Sequence, residues 1–315
     1  MRLLKGKTIF YMLVALFVVM NVAAILHAYR FTHFELQNTP KTNSPKELTW
    51  QEKLKVICLG ISNPRPVNDS VPTIAYKTVR LGAEGQTSAW YCKKENAKGT
   101  VILFHGYASA KANLIERAQY FYNKQYSVLM VDFRGSGESE GNSTTIGFHE
   151  STEVRDAYGF IYEKGEDSIY LFGTSMGAVA VLKAVHDYQL DCDGLLLECP
   201  FGSMYKTVSA RFSNMGVPAF PMAGLLTFWG GAMNDYWAMS HNPIDYANEV
   251  KCPTLLLYGE QDDKVSREEI DAILENMKGT KKMTTFAKAG HEDYWNSYKK
   301  EWCMAVDDFM IKPLH

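Results

Sequence analysis

The chain has 315 residues, 46% of them apolar, with 33 basic and 35 acidic residues and a formal net charge of −2. That apolar share excludes a globally disordered chain, and the balanced charge without a long basic run excludes an electrostatic basis for nucleic-acid binding. The length fits one large domain or two small ones, and the sequence carries no internal repeats or low-complexity tracts.

The first element is apolar on every side. Residues 8–26 read TIFYMLVALFVVMNVAAIL and carry no charge, close to the roughly 20 residues a helix needs to cross a bilayer. A cleaved signal peptide has a shorter apolar region, about 7–15 residues. Val22-Ala23-Ala24 and Leu26-His27-Ala28 nevertheless match small-residue cleavage sites. The reading adopted is an uncleaved signal anchor over residues 1–30. Arg2, Lys5 and Lys7 precede the span, which keeps the N-terminus cytoplasmic and puts the body on the extracytoplasmic side of a single-pass membrane protein. Arg30 and Lys41 follow the span and weaken that asymmetry. Residues 31–55 include QNTPKTNSPKEL, a composition expected of a flexible linker. Residues 56–315 form the folded domain.

Its six cysteines include no C-x-x-C pair, so neither a zinc nor a redox motif is expected. Cys192 and Cys199 flank one extended segment, too far apart to join. An outward-facing domain permits disulfides; buried free thiols are the plain alternative.

TIAYKTVRL and TSAWYCKK alternate around GAEGQ and predict an antiparallel hairpin. Near-continuous apolar runs then alternate with helical patterns. TVILFHGY, YSVLMVDFRG, SIYLFG, DGLLLECP, PTLLLYG and KKMTTFA read as strands. ANLIERAQYFYNK, STEVRDAYGFIYEK, residues 176–188, SREEIDAILENM and YWNSYKKEWCMAVDDFM read as helices. This predicts an α/β fold: a mostly parallel central sheet, helices on both faces and the antiparallel hairpin at one edge. Ligands bind beyond the carboxyl ends of such strands, so the residues there are the candidates.

After the third parallel strand stands Gly173-Thr174-Ser175-Met176-Gly177. A serine between glycines, where a strand becomes a helix, has the form of a nucleophile elbow. Its hydroxyl needs a neighbouring base. His291 follows the last strand, and Asp262 follows the one before it, placed to orient the imidazole. The order Ser175, Asp262, His291 is that of an α/β-hydrolase triad. Asp263 and Glu198 are the alternative acids, and Ser175 as a small turn residue is the bland reading.

With FHGYA, VDFRGSGES, GTSMG, GEQDDKV and AGH in this order, the sequence resembles the α/β-hydrolase superfamily. The branch it resembles is that of serine-aminopeptidase-like and monoacylglycerol-lipase-like proteins, including membrane-anchored ones. The resemblance covers residues 73–313. It implies an oxyanion hole from the backbone N–H groups of Met176 and Tyr107, a loop-fixing role for His105, and a loop-shaping motif at Asp132 and Arg134. It also implies that residues 201–246, rich in Met and aromatics, are a lid insertion; such side chains suit an adaptable apolar pocket or simply glue the lid to the core. Asp293 is expected to cap the helix after it.

The expected function is a serine hydrolase that cleaves a carboxylic ester or amide through an acyl-enzyme. The substrate is a small-molecule or lipid-like acyl compound; no metal or organic cofactor is implied. A peptidase or acyltransferase with the same triad is the runner-up. An inactive membrane-tethered binding protein is the rival from another class.

Overall fold

A computed structural model of the protein describes residues 6–35, 39–40, 42–43, 48–166 and 168–311. The runs read as parallel strands become β3 (Thr100–Phe104), β4 (Ser127–Val131), β5 (Ile169–Thr174), β6 (Gly194–Glu198), β7 (Thr254–Gly259) and β8 (Lys281–Phe286). Every residue of β3, β4, β6 and β7 is buried, as strands covered on both faces must be. The hairpin is β1 (Lys77–Leu81) and β2 (Thr87–Cys92), paired from Lys77↔Tyr91 to Leu81↔Thr87. The eight strands lie in the order β1-β2-β4-β3-β5-β6-β7-β8. Pairs β1–β2 and β2–β4 are antiparallel and the remaining five are parallel.

Helices cover both faces. α4 (Glu150–Tyr162), α5 (Met176–Tyr188) and α9 (Arg267–Asn276) pack on one. α3 (Ile115–Asn123) and α11 (Lys299–Ile311) pack on the other, through Ala118, Phe121, Trp302 and Val306. The helical run expected over residues 294–310 is interrupted at Tyr298 (φ −136°), leaving α10 (Tyr294–Ser297) separate from α11. The break accompanies two distinct anchors: the Tyr294 hydroxyl accepts from Gly259 N at 2.8 Å, and Trp302 Nε1 donates to Glu198 at 2.6 Å. Asp293 caps α10, accepting from Trp295 N and Asn296 N.

The N-terminal segment differs most from expectation. α1 runs from Gly6 to Thr32, past residue 30. The next residues are built into the body: His33 bridges Ser143, Glu35 bridges Pro64, and Phe34 N donates to Asn142 O at 2.7 Å. Within the remainder expected to be linker, α2 (Trp50–Leu59) starts on a capping box between Thr49 and Glu52. A polar composition concealed a T-x-x-E helix start. Residues 36–38, 41 and 44–47 of that stretch, with Arg2 and Lys5, lie outside the described residues.

The insertion of residues 201–246 forms α6 (Met204–Met215), which lines the cavity beyond the strand ends, α7 (Met222–Ala232), and α8 (Pro243–Tyr246), which packs against α5 and α9. α7 packs along α1. Asn21 lies within the otherwise apolar span; its side chain donates to Phe17 O and accepts from Trp229 Nε1 at 3.0 Å.

The Sγ atoms of Cys192 and Cys252, just before β6 and β7, are 3.1 Å apart as free thiols. Sequence separation hid this pair because it joins neighbouring strands. A mild oxidant is expected to close this pair as a disulfide. Non-reducing peptide mapping should recover the Cys192–Cys252 crosslink and lose it in Cys192→Ser; two thiols that both remain alkylatable after oxidation would refute the pairing.

Candidate active site

The strand order reverses between β4-β3 and β5-β6, so the crevice beyond β3 and β5 is the topological switch point where such sheets bind ligands. Ser175 occupies it as the one residue between β5 and α5, at φ +51° and ψ −110°. Its neighbours make the turn possible. A Cβ on Gly173 would stand 2.5 Å from Ala178 N, and one on Gly177 would stand 2.5 Å from Phe104 O. Without side chains there, the first turn of α5 settles directly against β5 and β3. Ser175 N donates to Glu198 O at 2.8 Å and fixes the turn to β6.

The turn presents Ser175 Oγ 3.0 Å from His291 Nε2, and His291 Nδ1 lies 2.8 Å from Asp262 Oδ2. A carboxylate only accepts, so Nδ1 donates and the neutral ring leaves Nε2 free to accept the serine hydroxyl. The other carboxylate oxygen of Asp262 accepts from Lys264 N at 2.8 Å and Val265 N at 3.0 Å. The Asp262 side chain is fully buried and His291 is 15% exposed. Thus three residues from separate strand ends, expected from those positions and their order, meet in one hydrogen-bonded line.

The two residues expected as oxyanion donors, Tyr107 and Met176, line the same cavity of about 140 Å³ as Ser175 and His291. Met176 opens α5, where an N–H has no intrahelical acceptor. The Tyr107 hydroxyl is committed elsewhere: it donates to Phe31 O at 2.7 Å and accepts from Asn63 Nδ2 at 2.8 Å.

Other candidates fall outside the line. His105 is buried, with Nε2 accepting from Phe133 N and Nδ1 donating to Gly106 O; both ring nitrogens are consumed in holding the loop. Glu198 is buried against Arg117 (3.2 Å) and Thr174 (2.9 Å). Asp132 does not pair with Arg134. Its cation is the buried Lys111, and it also accepts from Asn68 and from the N–H groups of Lys111 and Glu138. Asp263 O accepts from Asn214, whereas the orienting bond to His291 comes from Asp262.

Sequence reading passed over three residues here. Cys199 is buried at φ +39°, and its sulfur lies within 4.8 Å of ligand atoms of both Asp262 and His291. Burial pulls the His291 pKa down, but Cys199 and the hydrogen-bonded Asp262 outweigh it and hold the ring above its ordinary value. Phe31 and Arg211 also line the cavity, from α1 and α6. Ala108, Ile146, Ser175 and Cys199 all have positive φ. Such residues cost about 1–3 kcal/mol each and cluster at functional sites, and here each is at the cavity or next to a residue that lines it.

A central sheet that switches direction beside a serine elbow is the architecture of the α/β-hydrolases, and the chain has that fold. The serine aminopeptidase (S33) family matches residues 95–243, which include Tyr107 and Ser175 and end before Asp262 and His291. A lysophosphatidylserine lipase of Danio rerio is 25% identical over 190 residues, covering 58% of this chain and 48% of the lipase. An uncharacterized membrane protein of Saccharomyces cerevisiae is 30% identical over 131 residues, covering 39% of this chain and 44% of its own length. The chain thus spans less than half of either relative. An esterase of Pyrococcus furiosus superposes with a TM-score of 0.64 at 25% identity, over 79% of this chain and 96% of the esterase.

The elbow generates a stability prediction. Gly177→Ala drives a methyl into the Phe104 carbonyl, and overpacking of this kind costs roughly 1–3 kcal/mol. The urea midpoint should fall accordingly, while Gly224→Ala, with open space around it, should leave it in place. Equal midpoints for the two variants would contradict the close approach.

Proposed function

We propose that the protein is a membrane-tethered serine hydrolase that cleaves carboxylic esters through an acyl-enzyme. The observation that carries this reading is the hydrogen-bonded line Ser175–His291–Asp262. Ser175 attacks the ester carbonyl while His291 Nε2 takes its proton. The imidazolium so formed is stabilised by Asp262 and passes that proton to the leaving alcohol. Water then repeats the sequence against the acyl-enzyme. The N–H groups of Met176 and Tyr107 hold the developing oxyanion, a role in which one donor is worth roughly 3 kcal/mol.

The cavity walls favour an acyl ester. Ile146, Phe201, Met204, Val208 and Val265 surround the serine, and the esterase and lipase likenesses point the same way. The S33 match supports a second reading, peptide cleavage by the same residues. For the tether, α1 contains a segment of mean hydropathy 2.6 that is only 6% buried by the rest of the protein. A helix so apolar and so uncovered suits a bilayer, with the body on the extracytoplasmic side.

Two measurements on the full chain in detergent test the chemistry. A fluorophosphonate probe should label the protein and fail on Ser175→Ala, and Asp262→Asn should lower kcat by about 10⁴-fold. A folded wild-type chain that does not react refutes the reading. The pH profile follows from the His291 environment. Only the neutral imidazole accepts the serine proton, so a raised pKa shifts the rise of kcat/KM to higher pH. Cys199→Ala removes one of the groups that raise it, so this limb should move to lower pH in that variant; an unmoved limb would deny Cys199 any influence on the base.

A further inference from the structure

The cavity holds more positive charge than ester hydrolysis uses. Arg211 reaches into it from α6, its guanidinium carbon 4.1 Å from the centroid of the Phe31 ring and 5.8 Å from that of Tyr107. Those two rings are stacked at 4.7 Å and 8°. The Tyr107 hydroxyl, bonded to Phe31 O and Asn63, locks them together. The platform holds the guanidinium carbon over two ring faces and supplies no counter-charge. Among the described residues no carboxylate forms an ion pair with Arg211, and the group that counters its burial is Tyr107. Burial accordingly pushes its pKa down.

A second cation stands at the same cavity. Lys264, in the loop between β7 and α9, lines it while remaining open to solvent. Burial and the charge of Arg211 hold its pKa below the ordinary value, against Asp262 and Asp263. Asp262 and Asp263 offset part of that penalty, but the Asp262 oxygens bond His291 and the N–H groups of Lys264 and Val265 and not the Lys264 ammonium.

Two cations facing one cavity repel each other; burial costs Arg211 solvation with no carboxylate paired to it, and Asp262 and Asp263 compensate Lys264 only in part. An anion between them removes both penalties. Arginine presents a planar fork matched to carboxylate or phosphate oxygens, and lysine adds a mobile point charge at the rim. Most of the remaining wall is apolar. We propose that Arg211 and Lys264 form an anion subsite within the catalytic cavity, and that the preferred substrate is an acyl ester bearing a phosphate or carboxylate group. This assignment of substrate class rests on the serine-hydrolase reading; the subsite itself does not.

The test separates the two. Full-length Ser175→Ala in detergent cannot turn esters over, so binding is read alone. Three ligands share one acyl chain: monobutyryl glycerol, its 3-phosphate, and butyryl glycerate. The anionic esters should bind on the order of tenfold or more tightly than the neutral one. Arg211→Gln on this background should remove most of that ratio, Lys264→Gln part of it, and Arg211→Lys should restore part. The phosphate and carboxylate arms show which anion the fork prefers. Competition by glycerol 3-phosphate reports whether the headgroup suffices without the acyl chain.

In the wild type the same order should appear in kcat/KM. Equal binding of neutral and anionic esters overturns the subsite, as does a preference that survives both Gln substitutions in folded protein. Anionic esters that bind selectively to a wild-type chain that neither cleaves them nor reacts with the fluorophosphonate leave the subsite standing and refute the hydrolase.

Discussion

The close approach of α5 to β5 and β3 is the constraint on which the site depends. Ser175 can sit at φ +51° because Gly173 and Gly177 allow backbone to touch backbone. The serine side chain is then placed by main-chain geometry, with little rotamer freedom left to position it. The same contact brings the amino end of α5 to the crevice, where unpaired N–H groups and the helix dipole favour negative charge. The placement of Ser175 and of the N–H groups beside it thus follows from one packing decision. The run from Met176 to Val185, apolar except for Lys183 and all buried, drives the helix into place and opposes the local strain.

Two buried ionic clusters hold the loops around that turn. Lys111 and Asp132 anchor the segment after β4 to the segment after β3, with Asn68 and Glu138 completing the shell. Arg117 and Glu198 tie α3 to the end of β6, with Trp302 and Asp293 as further partners. Buried pairs of this type add little net stability, but losing one partner strands a charge at about 3–5 kcal/mol. Their effect is to make alternative loop positions expensive. Glu198 shows the logic well: its backbone carbonyl accepts from Ser175 N while its side chain is held by four donors.

The sheet was legible because its strands are buried on both faces and therefore read as unbroken apolar runs, as in TVILF and TLLLYG. Ser175, Asp262 and His291 were legible because each stands directly after a strand, and parallel strands end on one side. What escaped depends on contacts that no local pattern encodes. The proximity of Cys192 to Cys252 exists only once β6 and β7 are neighbours. The loop-shaping motif at Asp132 and Arg134 gave no hint that Asp132 pairs with Lys111, carried in by the segment after β3. Arg211 reads as an ordinary polar residue of an amphipathic lid helix until α1 supplies the Phe31 ring beneath it.

That last contact changes how the N-terminal helix must be regarded. An anchor joined by a slack tether would leave the catalytic body free to tumble above the membrane. Here α1 packs along the lid helix α7, and its final turn delivers Phe31 to the cavity wall and its carbonyl to Tyr107. The residues that follow pair with the segments around Ser143 and Pro64. α1 therefore contributes to the pocket itself. A shift of α1 relative to the body would disturb the Phe31–Tyr107 stack first, and with it both Arg211 and the loop expected to supply an oxyanion donor. In this architecture the helix that carries the long apolar run also sets part of the shape of the cavity.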